Sequence, residues 1–105
     1  MQKITPFLWF DNNAEDAVNF YTSLFDNSSI LNVTRYNEQS AVASGQKPGT
    51  AMTIAFKLEG QNFTALNGGP HFKLNQSTSF FVYCESDAKI EKIYNRLSDG
   101  GSIIF

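Results

Sequence analysis

The sequence predicts an α+β domain made of two copies of a β-α-β-β-β module, of which the second copy is incomplete. Residues Ile4 to Asp26 have the pattern of a strand, a tight turn and an amphipathic helix. Sliding the chain by roughly 73 positions superposes this stretch on a second one and pairs Thr5 with Thr78, Phe7 with Phe80, Tyr21 with Tyr94, Leu24 with Leu97, Asp26 with Asp99 and Ile30 with Ile103. Strand patterns fill the chain between the two copies. We therefore expect one domain over residues 1–105, with a first module at 1–70 and a truncated second module at 77–105.

The first strand is predicted from Ile4 to Phe10, where Pro6 requires an edge or a position whose amide is free. The first helix is predicted from Ala14 to about Phe25, because apolar residues recur there every three or four positions. Asn12 and Asn13 precede this helix and are expected to cap its free amides.

Three further strands complete the predicted first module. The second strand runs from Ile30 to Tyr36, and the polar stretch from Asn37 to Gly49 is predicted to be a long loop, mobile or functional. The third strand is predicted from Thr50 to Leu58. The dipeptide Glu59-Gly60 is typical of a hairpin turn, after which the fourth strand covers Gln61 to Asn67.

The remainder of the chain is predicted to repeat the order strand, helix, strand. We expect a loop from Gly68 to Ser77 and a strand from Thr78 to Cys84. A helix follows from Asp87 to Ser98, capped by Ser86, and Ser102 to Phe105 begin a last strand.

Composition excludes several function classes. Ten acidic against eight basic residues, with a net charge of -2, give no reason to expect a nucleic-acid or anionic-membrane partner. A single cysteine cannot form an intramolecular disulfide, and no apolar leader or long apolar run is present. We therefore expect a cytoplasmic protein.

Three segments carry a resemblance to a known family: ITPFLWFDNNAEDAVNFYTSLF, FTALNGGPHF and FFVYCES with IYNRLSDGG. With these segments the chain resembles the vicinal oxygen chelate superfamily, which has the glyoxalase/bleomycin-resistance fold. Within it, the chain is similar to the PhnB-like group labelled 3-demethylubiquinone-9 3-methyltransferase. The resemblance implies paired βαβββ modules that form a curved, mixed or antiparallel sheet around a shared pocket.

The second module departs from this family pattern because two of its strands are missing. By the repeat, a complete chain would extend to about residue 140. Either the chain is truncated, or a partner chain supplies the missing strands, or the sequence continues beyond the printed part.

The methyl transfer that the group's label suggests is not supported by the sequence. Common S-adenosylmethionine enzymes place a glycine-rich turn between a strand and a helix. Here the first such turn is Asp11-Asn12-Asn13, which contains no glycine. The label is therefore interpreted as a name inherited by similarity.

Metal chemistry is likewise not expected. Metal enzymes of the superfamily have a His, Gln or Glu near the start of each first strand, and the matched positions here are Thr5 and Thr78, or Ser79 beside it. The matched fourth-strand positions, Ala65 to Asn67, offer no carboxylate. These residue types are poor ligands for a divalent ion, so we predict no metal and no other cofactor.

Five residues are candidates for lining a ligand pocket: Thr5, Trp9, Phe56, Asn67 and His71. Alternate strand residues face alternate sides, so part of the aromatic set must face away from the helices and line either a pocket or a filled interior. Asn67 could instead form a turn. His71 could be a general base or a ligand donor, or a surface histidine that hydrogen-bonds backbone.

The sequence leaves three functions open. The first is a metal-free module that binds a small apolar or aromatic molecule, which the missing metal ligands favour. The alternative is a metal-dependent lyase, isomerase or dioxygenase of the same superfamily. The third is an assembly domain whose barrel is closed by another subunit. Because an incomplete module leaves strand edges unpaired, a homodimer is also predicted.

Overall fold

A computed structural model describes residues 2–75 and 77–101 and confirms the α+β class. The chain divides into two compact units, Met1–Asn75 and Gln76–Phe105. The elements in chain order are β1 (Phe7–Phe10), α1 (Ala14–Leu24), β2 (Ser29–Arg35), α2 (Glu38–Ser44), β3 (Ala51–Leu58), β4 (Gln61–Asn67) and α3 (Asp87–Ser98). The first unit thus holds the sheet with two helices, and α3 belongs to the second unit.

The four strands form one mixed sheet in the order β1-β4-β3-β2. β1 runs parallel to β4, with Phe7 opposite Thr64, whereas β3 is antiparallel to both β4 and β2. β3 and β4 are joined by the predicted two-residue turn, in which Glu59 and Gly60 both have positive φ, at 50° and 81°. This combination matches the twist of a hairpin.

The strand boundaries differ from the predicted ones by a few residues. β1 begins at Phe7 rather than Ile4, and the carbonyl of Pro6 still accepts a hydrogen bond from the Thr64 amide. β2 is displaced by one residue, and β3 begins at Ala51. β4 has the predicted bounds.

The core of the first unit lies between α1 and one face of the sheet. Its fully or nearly buried members come from the edge strand β1, from the two central strands β4 and β3, and from one stripe of the helix: Phe10, Ala14, Val18, Ala51, Ile54, Phe56, Phe63 and Ala65. Ala14 and Val18 are four residues apart and so share one helical face. Ile54 and Phe56 lie two residues apart in β3, as do Phe63 and Ala65 in β4, so both members of each pair point to the same face of the sheet.

The predicted cap of α1 is corrected by the structure. Asn13 occupies the N-cap position, but its side chain makes no capping hydrogen bond. The Ala14 amide instead donates to Oδ1 of Asn67, at 2.9 Å, from the end of β4. The helix ends at Leu24, one residue earlier than predicted.

The predicted loop from Asn37 to Gly49 contains a short helix, α2, so that prediction was wrong. The Asn37 side chain accepts from the Ser40 amide while the Ser40 hydroxyl accepts from the Asn37 amide, which is a capping box. At the other end Gly45 adopts φ 75°, a left-handed conformation that terminates helices.

In the second unit, α3 has the predicted bounds, and Ser86 caps it by accepting a hydrogen bond from the Lys89 amide. The strand predicted from Thr78 to Cys84 is not formed, and residues 79–84 are irregular. A strand requires a hydrogen-bonded neighbour, and no strand pairs with this stretch among residues 77–101. The strand start predicted at Ser102 to Phe105 lies outside the described residues.

Candidate functional site

The side of the sheet away from α1 is a mixed apolar and hydroxyl surface, which we call the open face. Because Ile54, Phe56, Phe63 and Ala65 point to α1, the residues between them point the other way. The same alternation in β1 separates core-facing Phe10 from Trp9. The open face includes Phe7, Trp9, Thr53, Ala55, Thr64 and Leu66, and the same alternation adds Asn62 and Lys57 near the turn between β3 and β4.

The strand register arranges these residues in rows. Trp9 lies opposite Leu66, and Leu66 lies opposite Thr53. In the next row Phe7 lies opposite Thr64, which in turn lies opposite Ala55. All of them except the exposed Phe7 are half-buried, so the surface remains partly accessible.

The side chain of Trp9 is held on the open face by a hydrogen bond and an aromatic contact. Its Nε1 donates a hydrogen bond to the Gly69 carbonyl at 2.8 Å. The ring of Phe72 meets the indole edge to face, with ring centres 4.9 Å apart and an interplanar angle of 89°. A polar anchor and an aromatic neighbour together fix the orientation of the half-buried indole.

Gly68 allows the indole to occupy this place. A Cβ atom at residue 68 would lie 2.3 Å from Cζ2 of Trp9, a separation that no real contact adopts. The amides of Gly68 and Gly69 donate to the carbonyls of Phe10 and Asp11, which holds the glycine pair beside the end of β1. The two glycines of the FTALNGG segment thus form the site in which the Trp9 side chain lies.

Asn67 lies on the opposite side, beneath α1, and is 2% exposed. Its Oδ1 accepts from the Ala14 amide, and its Nδ2 donates to the Ala51 carbonyl at 2.9 Å. Its own carbonyl accepts from the Tyr36 hydroxyl at 2.6 Å. These bonds join three elements, and they give Asn67 a structural position in which its polar atoms already have partners.

The five predicted pocket residues do not meet on one face. Trp9 lies on the open face, and Asn67 on the helix side. Phe56 is also on the helix side, because it lies two residues from Ile54 in β3 and points to the same face. It is 1% exposed and stacked on Phe63. Thr5 is exposed before β1, where its hydroxyl accepts from Gln2, and His71 is exposed on the loop after Gly69.

The other open-face residues, among them Leu66 and Thr53, were not among the predicted candidates. Their signal was present in the sequence, since both alternate with residues that belong to the core. This signal is usable only once it is known which alternate residues of each strand face the core. In β1 the continuous aromatic run obscures this choice.

The donor atoms that the structure brings together determine whether a metal ion could be bound. Within residues 2–75 and 77–101, no three His, Cys, Asp or Glu side chains lie close enough to hold a metal ion. The matched position Thr5 presents a single exposed hydroxyl. The described residues therefore do not supply the donor set that the superfamily's metal site requires. As for membrane insertion, none of the described helices has the length and apolar character of a membrane span.

The second unit has a groove of its own, about 470 Å³ in volume, between α3 and the irregular segment before it. Its walls are almost entirely apolar and comprise Phe81, Val82, Tyr83, Cys84, Ile90, Ile93, Tyr94 and Leu97. Several of these side chains are strongly exposed, with Phe81 at 92% and Tyr83 at 82%.

Comparisons with known proteins place the chain among PhnB-like sequences. The family model described as 3-demethylubiquinone-9 3-methyltransferase matches residues 2–104. A solved structure of a PhnB protein from Bacillus cereus, described by the same 3-demethylubiquinone-9 3-methyltransferase label without an established activity, is similar at 38% identity and a TM-score of 0.87, covering 99% of this chain and 79% of that one. A protein from Staphylococcus aureus is similar at 35% identity and a TM-score of 0.51, covering 100% and 74%. No curated protein matches the chain.

Proposed function

Because the chain belongs to the PhnB-like family described as 3-demethylubiquinone-9 3-methyltransferase, with the predicted glyoxalase-type α+β fold and an incomplete second module, we propose that it is a small-molecule-binding module. The ligand is apolar or aromatic and binds on the open face, against Trp9. Binding requires no metal ion.

The fixed indole of Trp9 carries this proposal. Ligand sites are mostly apolar surfaces with a few placed polar groups, and they are largely formed before the ligand arrives. The open face has this composition, since Trp9 and Leu66 provide apolar area, Thr64 provides a hydroxyl group, and Thr53 provides one that is hydrogen-bonded to the hydroxyl of Thr34. The hydrogen bond from Trp9 to Gly69 orders the indole in advance, which lowers the entropic cost of binding.

The donor chemistry supports binding without a metal. By the family resemblance, Thr5 and Thr78, or Ser79 beside it, match the positions where metal enzymes of the superfamily have ligands. A hydroxyl group is a weak ligand for zinc, iron or manganese. The alternative, a metal-dependent lyase, isomerase or dioxygenase, would need a ligand set that the matched positions do not supply.

The family's descriptive name does not lead us to propose methyl transfer. The common S-adenosylmethionine enzymes use a doubly wound parallel sheet with a glycine-rich first turn. The sheet here is mixed, with only β1 and β4 parallel, and its first turn is Asp11-Asn12-Asn13. Both features support a binding role over that reaction.

The proposal can be tested by fluorescence because Trp9 is the chain's single tryptophan. We expect the neutral quencher 4-nitrobenzyl alcohol to quench its emission saturably, and more strongly than it quenches free N-acetyltryptophanamide. The substitution Leu66→Ala removes apolar area beside the indole and should weaken binding about fivefold. Val42→Ala, at an exposed position on α2, should leave binding unchanged.

Linear quenching equal to that of the free amide, both for this compound and for aromatic acids, would contradict the proposal. Elemental analysis tests the metal-free part separately. A stoichiometric transition metal that survives dialysis would move the enzyme alternative to the front.

We also propose that two copies of the chain pair through β2, an edge strand of the sheet. Ile30 and Leu31 on this strand are 43% and 51% exposed, and exposed apolar edge strands readily pair with another chain. Native mass spectrometry should show a dimer, and Leu31→Lys should convert it to monomer. A wild-type protein that is monomeric at micromolar concentration would refute this assembly.

A further inference from the structure

A single lysine gives the open face a charge. Lys57 follows Thr53 and Ala55 on the alternating positions of β3, so its side chain leaves the sheet on the same side as theirs. It is half-buried, and its neighbours across the sheet are Asn62 of β4 and Ser29 of β2. Among the side chains that the four strands place on this face, Lys57 alone is charged.

This charge has no acidic partner within the described residues. Arg35 forms an ion pair with Glu15 of α1, on the helix side of the sheet. The neighbours of Lys57 across the sheet offer an amide and a hydroxyl, which do not neutralise an ammonium group. A half-buried cation on a binding surface favours an anionic group on whatever occupies that surface.

The distance between Lys57 and the row of residues that contains Trp9 determines how long the ligand must be. Thr53, in the row of Trp9 and Leu66, lies four residues from Lys57 along β3, which corresponds to about 13 Å. The flexible stem of the lysine shortens the span that a ligand must bridge. A ligand that reaches both ends is therefore longer than a single ring.

We propose that the ligand is an amphiphilic organic anion, with an aromatic or apolar group at one end and a carboxylate or similar acid at the other. The apolar end lies against Trp9 and Leu66, and the acid end is bound by the ammonium group of Lys57. Thr64 and Ala55 lie in the row between these ends. This inference rests on the proposed function, to which it adds the charge and length of the ligand.

A matched pair of probes tests the charge. In 6-(4-nitrophenyl)hexanoate the nitrophenyl ring quenches indole emission and the carboxylate can reach Lys57, while 6-(4-nitrophenyl)hexanamide has the same shape without the charge. For the wild-type chain we expect the acid to bind about five- to tenfold more tightly than the amide. In Lys57→Gln the two compounds should bind equally, and in Lys47→Gln, an equal charge change at an exposed lysine, the preference should persist.

The outcomes separate the two proposals. Equal affinities of acid and amide for the wild-type chain, with saturable quenching by both, would overturn the anionic ligand and leave the binding module standing. A preference that persists in Lys57→Gln would also overturn it. If neither compound quenches the emission of Trp9 saturably, the proposed function itself is contradicted. A circular dichroism spectrum of Lys57→Gln matching that of the wild type ensures that the comparison concerns folded protein.

Discussion

Asn67 shows how a residue chosen for function can instead support the fold. Its polar side chain comes at the end of a strand and before two glycines, a pattern that also suits a ligand-binding amide. The structure gives both of its amide atoms partners, the Ala14 amide and the Ala51 carbonyl. No local pattern predicts this cap, because the bond to Ala14 spans 53 residues of the chain.

The substitution Asn67→Ala should lower the free energy of unfolding by about 2–4 kcal/mol, because it leaves two buried backbone groups without partners and uncaps α1. Urea denaturation measures this loss. Asn62→Ala, on the same strand but facing the open side, should cost less than about 1 kcal/mol. Similar losses for the two variants would show that the buried bonds of Asn67 contribute little.

Gly68 is required by the indole rather than by its backbone conformation. In Gly68→Ala the new methyl group would overlap the ring of Trp9, so the ring must move and lose its bond to Gly69. We expect tryptophan emission at longer wavelength and a loss of about 2 kcal/mol in stability. Gly49→Ala introduces strain at φ 87° in open space, and it should cost about 1 kcal/mol with unchanged emission. Unchanged emission in Gly68→Ala would contradict this role.

At the scale of elements, local signals were reliable where helix and strand patterns are strong. α3 and β4 have the predicted bounds, and α1 differs only at its last residue. The stretch from Thr78 to Cys84 has the composition of a strand but is irregular, because a strand depends on a partner that composition does not reveal.

α2 was missed, although its signals are local. Asn37 and Ser40 form a capping box in which serine takes the place of the usual Glu or Gln, and Gly45 closes the helix eight residues after Asn37. With only seven residues, the helix is too short to show a repeated apolar face.

The capping box should stabilise α2 against local unfolding. Asn37→Ala removes the acceptor for the Ser40 amide and should cost about 1 kcal/mol locally, which corresponds to roughly fivefold faster amide exchange in α2. Hydrogen exchange followed by NMR measures this, with the amides of β3 as the internal reference. Unchanged exchange in α2 would mean that its packing, through buried Ala41, dominates over the cap.

At the scale of the whole molecule, the repeat and the family segments were sufficient to predict the α+β class, the PhnB-like resemblance and the incomplete second module. The site was less predictable. Trp9 could be named from the sequence, but which face of the sheet a residue occupies depends on where α1 packs. Phe56 illustrates this limit, because an aromatic side chain suits either face of the sheet. Only its spacing of two residues from Ile54, which faces the core, assigns it to the core.

The open face as the ligand-binding surface is the central claim, and a methyl NMR titration with 6-phenylhexanoate tests it most directly. The two faces of the same strands provide the comparison: Leu66 and Ala55 on the open face, and Ile54 and Ala65 in the core. We predict saturable shifts of the Leu66 and Ala55 methyl signals, with much smaller changes at Ile54 and Ala65. Shifts confined to core methyls, or to Leu97 in the groove of the second unit, would contradict the account.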